Sequence, residues 1–227
     1  MTRVKICGVT TEEDLGVAVD AGADALGFIT EVPVDTPREV ESGVAADLVA
    51  AAPPFVTTTL VLMPETTGHA VGLARTIQPD VLQLHADFDP EELQFVRAES
   101  STKLVVAVDA AEPDRARELD AVADAVLVDS TTEEGAGGTG ETHDWEATRD
   151  LAVDLDSPVI LAGGLTPDNV AEAVSTVNPY GVDVASGVES EGGTKDAVAV
   201  RAFTRAVRRV DFGTGTEGTG QEDGVVP

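Results

Sequence analysis

The sequence predicts an α/β protein folded as a single (β/α)8 barrel. Eight short runs rich in Val, Ile and Leu alternate with eight longer amphipathic segments. Nearly every residue of the short runs is apolar, which is typical of parallel strands covered on both faces. The chain has 227 residues, which suits one domain of barrel size.

The predicted elements follow one another along the chain in strict alternation. The strands are 3–7, 24–29, 55–62, 81–84, 103–108, 125–129, 159–162 and 182–185. The helices are 11–21, 40–51, 67–77, 90–98, 113–121, 145–153, 167–177 and 195–209. Thr10, Thr11 and Thr166 precede acidic residues or proline, as at helix N-termini. Residues 1–210 are therefore assigned to the barrel, and residues 211–227, rich in Gly, Thr and acidic side chains, to a disordered acidic tail.

A doubly wound open sheet is the alternative architecture. Such a sheet usually has fewer strands and a glycine-rich dinucleotide-binding turn after its first strand. The first predicted strand here ends in Cys7-Gly8-Val9-Thr10, which is not a dinucleotide-binding motif. The closed barrel is therefore favoured.

The chain is strongly acidic, with 42 Asp and Glu residues against 14 Lys and Arg and a formal net charge of −28. Such a surface repels nucleic-acid phosphates and anionic lipid headgroups, so neither is expected as a partner. Because salt screens the self-repulsion, we expect a protein adapted to a very salty cytoplasm. The sequence has one cysteine and no apolar run long enough to span a membrane, which predicts a cytoplasmic location. Three dispersed histidines give a metal site little support.

Two glycine turns point to a phosphate site. In a barrel of this type, functional groups gather at the C-terminal ends of the strands. Gly163-Gly164 follows the seventh strand, and Ser186-Gly187 follows the eighth. Glycines let backbone N–H groups approach an anion, and the loops after these two strands often hold a phosphate group. The alternative is that these glycines only make tight turns.

Two strand ends carry candidate catalytic groups. Cys7 is either a buried packing residue or a base, and as a base it needs a thiolate, so we expect a nearby cation to lower its pKa. Lys5 lies two residues earlier, on the same side of the strand. Asp129 either caps the next loop or acts as a general acid. The glycine-rich segment 135–140 after it is a candidate lid.

A series of motifs runs along the chain from about residue 4 to residue 210. The motifs are Lys5-Ile6-Cys7-Gly8-Val9-Thr10, Ala25-Leu26-Gly27-Phe28-Ile29, Thr36-Pro37-Arg38, Leu82-Gln83-Leu84-His85, Val128-Asp129-Ser130 with Gly137-Gly138-Thr139-Gly140 and Asp144-Trp145, Leu161-Ala162-Gly163-Gly164-Leu165, Val184-Ala185-Ser186-Gly187-Val188-Glu189 and Gly193-Thr194-Lys195-Asp196. Together and in this order they resemble the phosphoribosylanthranilate isomerase family.

The resemblance implies an isomerase of tryptophan biosynthesis that uses no cofactor and no metal. It would convert N-(5-phosphoribosyl)anthranilate into 1-(2-carboxyphenylamino)-1-deoxyribulose 5-phosphate by an Amadori rearrangement. Asp129 would protonate the ring oxygen of the sugar, and Cys7 would remove the proton at C2. Arg38 would pair with the anthranilate carboxylate, while His85 either orients the anthranilate end or packs at the rim. The segment 30–35 is longer than is usual in the family.

Two other functions stay open. One is a neighbouring phosphate-binding barrel enzyme of tryptophan or histidine synthesis, which would rely on catalytic lysines or on an aspartate in place of Cys7. The other is a phosphosugar-binding protein without turnover, for which Cys7 and Asp129 together have no purpose. The sequence also leaves open whether the chain is a monomer or a homodimer.

Overall fold

A closed barrel of eight parallel strands forms the centre of the described chain. The computed structural model describes residues 1–129 and 144–213, with side chains only to residue 210. The strands, each paired with the next and the last with the first, are β1 (Arg3–Cys7), β2 (Ala25–Ile29), β3 (Thr57–Leu62), β4 (Val81–Leu84), β5 (Lys103–Asp109), β6 (Ala125–Asp129), β7 (Val159–Leu161) and β8 (Gly181–Val184). The predicted fold class is confirmed. The candidate lid at 135–140 and residues 214–227 of the predicted tail lie outside the described residues.

A helix follows each strand. The helices are α1 (Glu12–Asp20), α2 (Ser42–Ala51), α3 (Thr67–Ile77), α4 (Pro90–Ser100), α5 (Pro113–Leu119), α6 (Trp145–Asp154), α7 (Val170–Val177) and α8 (Ala197–Gly213). Thr11 caps α1, as predicted, by accepting the backbone N–H of Asp14 at 3.1 Å. The helix predicted to begin at 167 begins at Val170. The residues before it form a turn in which the Thr166 N–H donates to Asn169 Oδ1 at 2.7 Å.

Three aspartates hold the strand starts at the N-terminal face of the barrel. Asp24, Asp80 and Asp124 each stand directly before an even-numbered strand. Each carboxylate accepts the backbone N–H of the second residue of the preceding strand. These bonds are Val4 N to Asp24 at 2.8 Å, Thr58 N to Asp80 at 2.8 Å and Leu104 N to Asp124 at 2.9 Å. They satisfy donors at the ends of the strands, where the ladder of backbone hydrogen bonds stops.

The strands separate an outer apolar core from a partly polar interior. On β1, Val4 and Ile6 belong to the large cluster between strands and helices, and the same holds for Leu82 and Leu84 on β4 and Val182 and Val184 on β8. Because side chains alternate across a strand, the residues between them point into the barrel. Those residues are Lys5, Gln83 and Asp183, all nearly inaccessible to solvent. The mouth of the barrel therefore rests on a buried polar layer.

Candidate active site

A cavity of about 240 Å³ opens at the mouth of the barrel, where the C-terminal ends of the strands meet. All eight residues singled out by the sequence line it. They are Cys7, Arg38, His85, Asp129, Gly163, Gly164, Ser186 and Gly187. They come from six of the eight βα units, so only the closure of the barrel brings them together.

Cys7 ends β1 and lies against a strand that makes room for its sulfur. Gly27 on β2 is its neighbour, and a Cβ atom added there would lie only 2.7 Å from Cys7 Sγ and 3.1 Å from Lys5 Nζ. Any side chain at this position would therefore displace the thiol or the ammonium group. The glycine of the β2 motif thus serves the site on the neighbouring strand.

Lys5 and Asp183 form a buried ion pair beneath the thiol. Lys5 Nζ donates to Asp183 Oδ2 at 2.9 Å, and both side chains are more than nine-tenths buried. Burial disfavours the ammonium, but the negative charge of Asp183 and its hydrogen bond outweigh this effect and leave the pKa of Lys5 above its ordinary value. Lys5 therefore remains a cation next to the thiol.

The pKa of the Cys7 thiol is raised, which corrects the expectation that it would be lowered. Burial is the main cause, and the Asp183 carboxylate adds to it. Lys5 and Lys195 pull the pKa down but do not overcome the loss of hydration. Cys7 is therefore a protonated thiol in the resting site at neutral pH.

His85 is a neutral imidazole at the end of β4. Burial lowers its pKa to about 4, and the nearby Lys5 cation acts in the same direction. Its Nε2 lies 2.9 Å from Gln83 Nε2, so the amide donates and the ring carries its proton on Nδ1. Within the described part of the chain, Gln83 Oε1 and Asp183 Oδ1 are buried without a hydrogen-bond partner, and both residues line the cavity.

Arg38 reaches the cavity and is held there by a buried carboxylate. Its Nε and Nη2 donate to the two carboxylate oxygens of Glu189 at 2.9 and 2.8 Å. Lys195 Nζ also donates to Glu189, at 2.7 Å. Burial opposes the charged carboxylate, but the hydrogen bonds from Arg38 and Lys195 keep the pKa of Glu189 below its ordinary range. Glu189 therefore stays charged and fixes the guanidinium fork.

A hairpin after β8 fixes the loop that carries Arg38. The hairpin consists of β9 (Glu189–Glu191) and β10 (Thr194–Lys195), which the sequence did not predict. A Cβ atom at Gly193, whose φ is 83°, would lie 2.3 Å from the carbonyl oxygen of Pro37. The hydroxyl of Thr10 donates to the Gly193 carbonyl at 3.0 Å. The long segment 30–35 therefore does not keep Arg38 away from the site.

The two glycine turns are pressed against each other. A Cβ atom at Gly187 would lie 1.9 Å from the carbonyl oxygen of Leu165, so this approach requires a glycine. Gly163 and Gly164 have φ values of 85° and 60°, in the left-handed region that glycine adopts without strain. Asn169 Nδ2 donates to the Gly164 carbonyl at 2.9 Å and holds that turn in place. Such turns can direct backbone N–H groups towards an anion.

Comparison with known proteins identifies the family of this chain. A family model described as N-(5'phosphoribosyl)anthranilate (PRA) isomerase matches residues 4–206. The chain belongs to this family.

Several relatives within the family are haloarchaeal, and their sequences align with nearly the whole chain. The N-(5'-phosphoribosyl)anthranilate isomerase of Haloferax volcanii is 62% identical over 92% of this chain and 94% of its own length. That of Halorubrum lacusprofundi is 61% identical over 89% and 95%. These sources agree with the salt adaptation that the acidic composition predicts.

Solved structures of the family share the barrel. The phosphoribosyl anthranilate isomerase of Thermotoga maritima superposes with a TM-score of 0.81 at 31% identity, over 92% of this chain and 99% of that one. A structure of mutually generated monomers of the dimeric T. maritima protein gives 0.78 at 28% identity, with the same coverage. A phosphoribosyl anthranilate isomerase in complex with reduced 1-(o-carboxyphenylamino)-1-deoxyribulose 5-phosphate gives 0.77 at 29% identity, again over 92% and 99%.

Sequence reasoning gave no role to four polar residues of the site, namely Gln83, Asp183, Glu189 and Lys195. Three of them stand in the quoted motifs, and Lys5 was noted only for its position beside Cys7. A polar residue within an apolar strand was the available signal for Gln83 and Asp183. For Glu189 and Lys195 the signal was their place in the last two motifs, but both follow the last strand in a segment predicted as loop and helix, so their contact with Arg38 could not be inferred.

Proposed function

We propose that the cavity at the barrel mouth is the active site of an Amadori isomerase. The chain is an enzyme of tryptophan biosynthesis, an aldose–ketose isomerase that converts N-(5'-phosphoribosyl)anthranilate into 1-(2-carboxyphenylamino)-1-deoxyribulose 5-phosphate. The observation that carries the assignment of the site is that a thiol, a carboxyl group and two glycine turns line one cavity of about 240 Å³.

Asp129 is the general acid of the first step. The anthranilate nitrogen forms a double bond to C1 of the sugar, the bond between C1 and the ring oxygen breaks, and that oxygen takes the proton of Asp129. The product is a protonated Schiff base. This role is supported by the position of Asp129 at the end of β6 and on the wall of the same cavity as Cys7.

Cys7 is the general base of the second step. It acts as the thiolate, after the resting thiol has released its proton to solvent at the open mouth of the cavity. The thiolate removes the proton at C2, the C2–H electron pair forms a C1–C2 double bond, and the former C1–N π pair neutralises the Schiff-base nitrogen, which leaves an enolamine. Protonation at C1 and loss of the proton of the C2 hydroxyl then give the ketone. The raised pKa of the resting thiol means that the thiolate needs positive charge beside it. Lys5 supplies a fixed cation, and the Schiff-base nitrogen supplies another at the stage when the base is needed.

Arg38 and His85 bind the anthranilate end of the substrate. A guanidinium carries more N–H donors than the two that Glu189 takes, so it can bind the carboxylate of anthranilate as well. Neutral His85 orients the same end without adding charge. The unused acceptors on Gln83 and Asp183 suit hydroxyl groups of the opened sugar.

The backbone of Gly163, Gly164, Ser186 and Gly187 holds the phosphate group. Backbone N–H groups bind an anion without any free cationic side chain. The surface of a chain with a net charge of −28 repels an anionic phosphosugar at long range. Backbone N–H groups in the cavity can still bind the phosphate group, because their dipoles attract an anion locally. The close contact between the turn at Gly163-Gly164 and the turn at Ser186-Gly187 keeps their backbone N–H groups in a fixed arrangement.

The remaining assignments concern the chain as a whole. We propose that residues 1–210 form the catalytic barrel with residues 211–227 as an appendage, that it works in the cytoplasm without cofactor or metal, and that it is a homodimer. The dimeric relative from T. maritima supports the last point. No helix in the described part of the chain is long and apolar enough to cross a membrane.

The decisive experiment follows the fluorescence of phosphoribosylanthranilate as the purified chain consumes it in multimolar KCl. Turnover with formation of the carboxyphenylamino ketose supports the proposal. Binding of a product analogue without turnover would instead make the chain a phosphosugar-binding protein. Turnover of the corresponding histidine-pathway substrate would show that the enzyme accepts a wider range of substrates.

A further inference from the structure

Arg38 is the only positively charged side chain among the described residues that line the mouth cavity. Glu189 accepts two hydrogen bonds from its guanidinium, from Nε at 2.9 Å and from Nη2 at 2.8 Å. A guanidinium paired in this way with one carboxylate forms a unit without net charge. By itself this pair would attract the carboxylate of anthranilate only weakly. A further positive charge must neutralise Glu189 if Arg38 is to act on the substrate as a cation.

Lys195 provides this further charge from beneath the cavity. Its side chain is completely buried, and its Nζ donates to Glu189 Oε1 at 2.7 Å, closer than either bond from Arg38. The side chains of Arg38, Glu189 and Lys195 together carry one positive charge. Arg38 lines the cavity and Lys195 does not. The guanidinium therefore presents the surplus charge of the three groups to a ligand.

The other contacts of Lys195 do not cancel its charge. Its Nζ lies 3.4 Å from the carbonyl oxygen of Ala185, which is a neutral group. Asp14 accepts the backbone N–H of Lys195 at 2.9 Å and the hydroxyl of Thr11 at 3.1 Å. Asp14 also stands in the first turn of α1, where the helix dipole stabilises a carboxylate. Asp14 is thus bound by neutral donors, and the ammonium of Lys195 has Glu189 as its charged partner.

The charge of Lys195 acts inside the cavity. Burial raises the pKa of the Cys7 thiol, and Lys195, together with Lys5, opposes this effect. Cys7 ends β1 and Lys195 ends β10, so the influence passes through space between distant parts of the chain. The guanidinium of Arg38 is bound to the same carboxylate as Lys195. It therefore feels the charge of Lys195 as well.

We propose that Lys195 is a positioning residue that makes the site prefer ligands with a carboxylate on the aromatic ring. Its ammonium neutralises Glu189, so that Glu189 holds the guanidinium of Arg38 in place without cancelling its charge. Lys195 acts through Arg38 and does not itself touch the substrate. The inference rests on the proposed function, because it needs the contact between Arg38 and the carboxylate of anthranilate.

Two ligands that differ only in this carboxylate separate the proposed role from a structural one. The first is reduced 1-(o-carboxyphenylamino)-1-deoxyribulose 5-phosphate, and the second is the same molecule without the carboxylate. Isothermal titration calorimetry of the full chain in multimolar KCl measures both dissociation constants. Lys195→Met should raise the first roughly tenfold and the second by less than about twofold, because salt screens a buried charge only weakly. Lys103→Met is the matched control, since it removes an equal charge from an exposed side chain at the N-terminal face and should change neither constant.

A second substitution at Glu189 tests the charge balance itself. The double variant Lys195→Met/Glu189→Gln restores one positive charge, because Arg38 then faces a neutral amide. It should bind the carboxylated analogue at least about threefold more tightly than Lys195→Met does. Thermal unfolding shows whether each variant is folded. If Lys195→Met does not fold, the double variant decides alone: its preference for the carboxylated analogue must exceed that of Arg38→Ala.

The proposal is wrong if Lys195→Met binds both analogues as the native chain does, if it weakens both equally, or if the substitution at Glu189 brings no recovery. Equal weakening would instead make Lys195 a support of the turn after β8, through the carbonyl of Ala185. Two results with the native chain would concern the proposed function itself. Equal affinity for the two analogues would refute the contact between Arg38 and anthranilate, and absence of turnover would refute the isomerase.

Discussion

The two ends of the barrel use similar charged side chains for different purposes. At the N-terminal face, the carboxylates of Asp24, Asp80 and Asp124 accept backbone N–H groups and hold strand starts. At the mouth, buried carboxylates bind other side chains, as Asp183 binds Lys5 and Glu189 binds Arg38. The first arrangement stabilises the fold, and the second positions groups for chemistry. Substitutions at the two ends should therefore affect different quantities.

The largest effect is expected at the catalytic pair. Cys7→Ala and Asp129→Asn should each lower kcat by about 10²–10⁴-fold, because each removes one proton-transfer group. The melting temperature should change little, since both residues lie at the mouth and not in the large apolar core. Steady-state kinetics and thermal unfolding in high salt measure both quantities. If either variant kept a near-native kcat, the catalytic role assigned to the substituted residue would be wrong.

One residue at the mouth, His85, should affect the stability of the fold, and the pH dependence of unfolding measures this effect. His85 has a pKa of about 4 in the folded chain, below its ordinary value of 6.5. As the pH falls below about 6.5, the unfolded chain takes up a proton that the folded chain refuses, so stability is lost down to about pH 4. The loss should reach up to about 3 kcal/mol.

Denaturant titrations of the native chain and His85→Asn across this pH range isolate the histidine. The carboxylate of Glu189, with its lowered pKa, is protonated only at lower pH and is present in both chains. The native chain should lose more stability between about pH 7 and about pH 4.5 than the variant does. Equal losses would contradict a buried neutral imidazole.

A smaller effect is expected at the guanidinium fork. Arg38→Ala should raise KM by about 10–100-fold, the value of a hydrogen-bonded charge pair, with a smaller change in kcat. Arg38→Lys should recover only part of this, because an ammonium lacks the planar fork. An unchanged KM in Arg38→Ala would show that the carboxylate of anthranilate binds elsewhere.

The smallest effect on catalysis belongs to the N-terminal face, where the expected change concerns stability alone. Asp80→Ala leaves the buried backbone donor of Thr58 without its acceptor and should destabilise the fold by about 1–3 kcal/mol. The kcat should stay native, because Asp80 lies at the opposite end from the mouth. Asp47→Ala, which removes an equal charge from an exposed position on α2, is the control. A change in kcat for Asp80→Ala would abolish the distinction between the two ends.

Most of the architecture could be predicted because it depends on local patterns. Apolar runs and capping residues repeat along the chain, and each run can be assigned from its neighbours alone. Parallel strands then bring their C-terminal ends together, so residues such as Cys7 and Asp129 could be placed at one mouth without any distance being known. The hairpin after β8 escaped prediction because its short polar strands carry no such pattern.

The sequence by itself determined the eight βα units, the order of the family's motifs and the acidic coat, since each is a property of neighbouring residues or of composition. Only the tertiary structure decided that Lys5 meets Asp183, that Glu189 holds Arg38, and that Cys7 rests as a thiol with a raised pKa. These depend on burial and on contacts between residues far apart in the chain. Electrostatic energies change steeply with burial and with the distance between charges, and the order of residues along the chain specifies neither of these quantities.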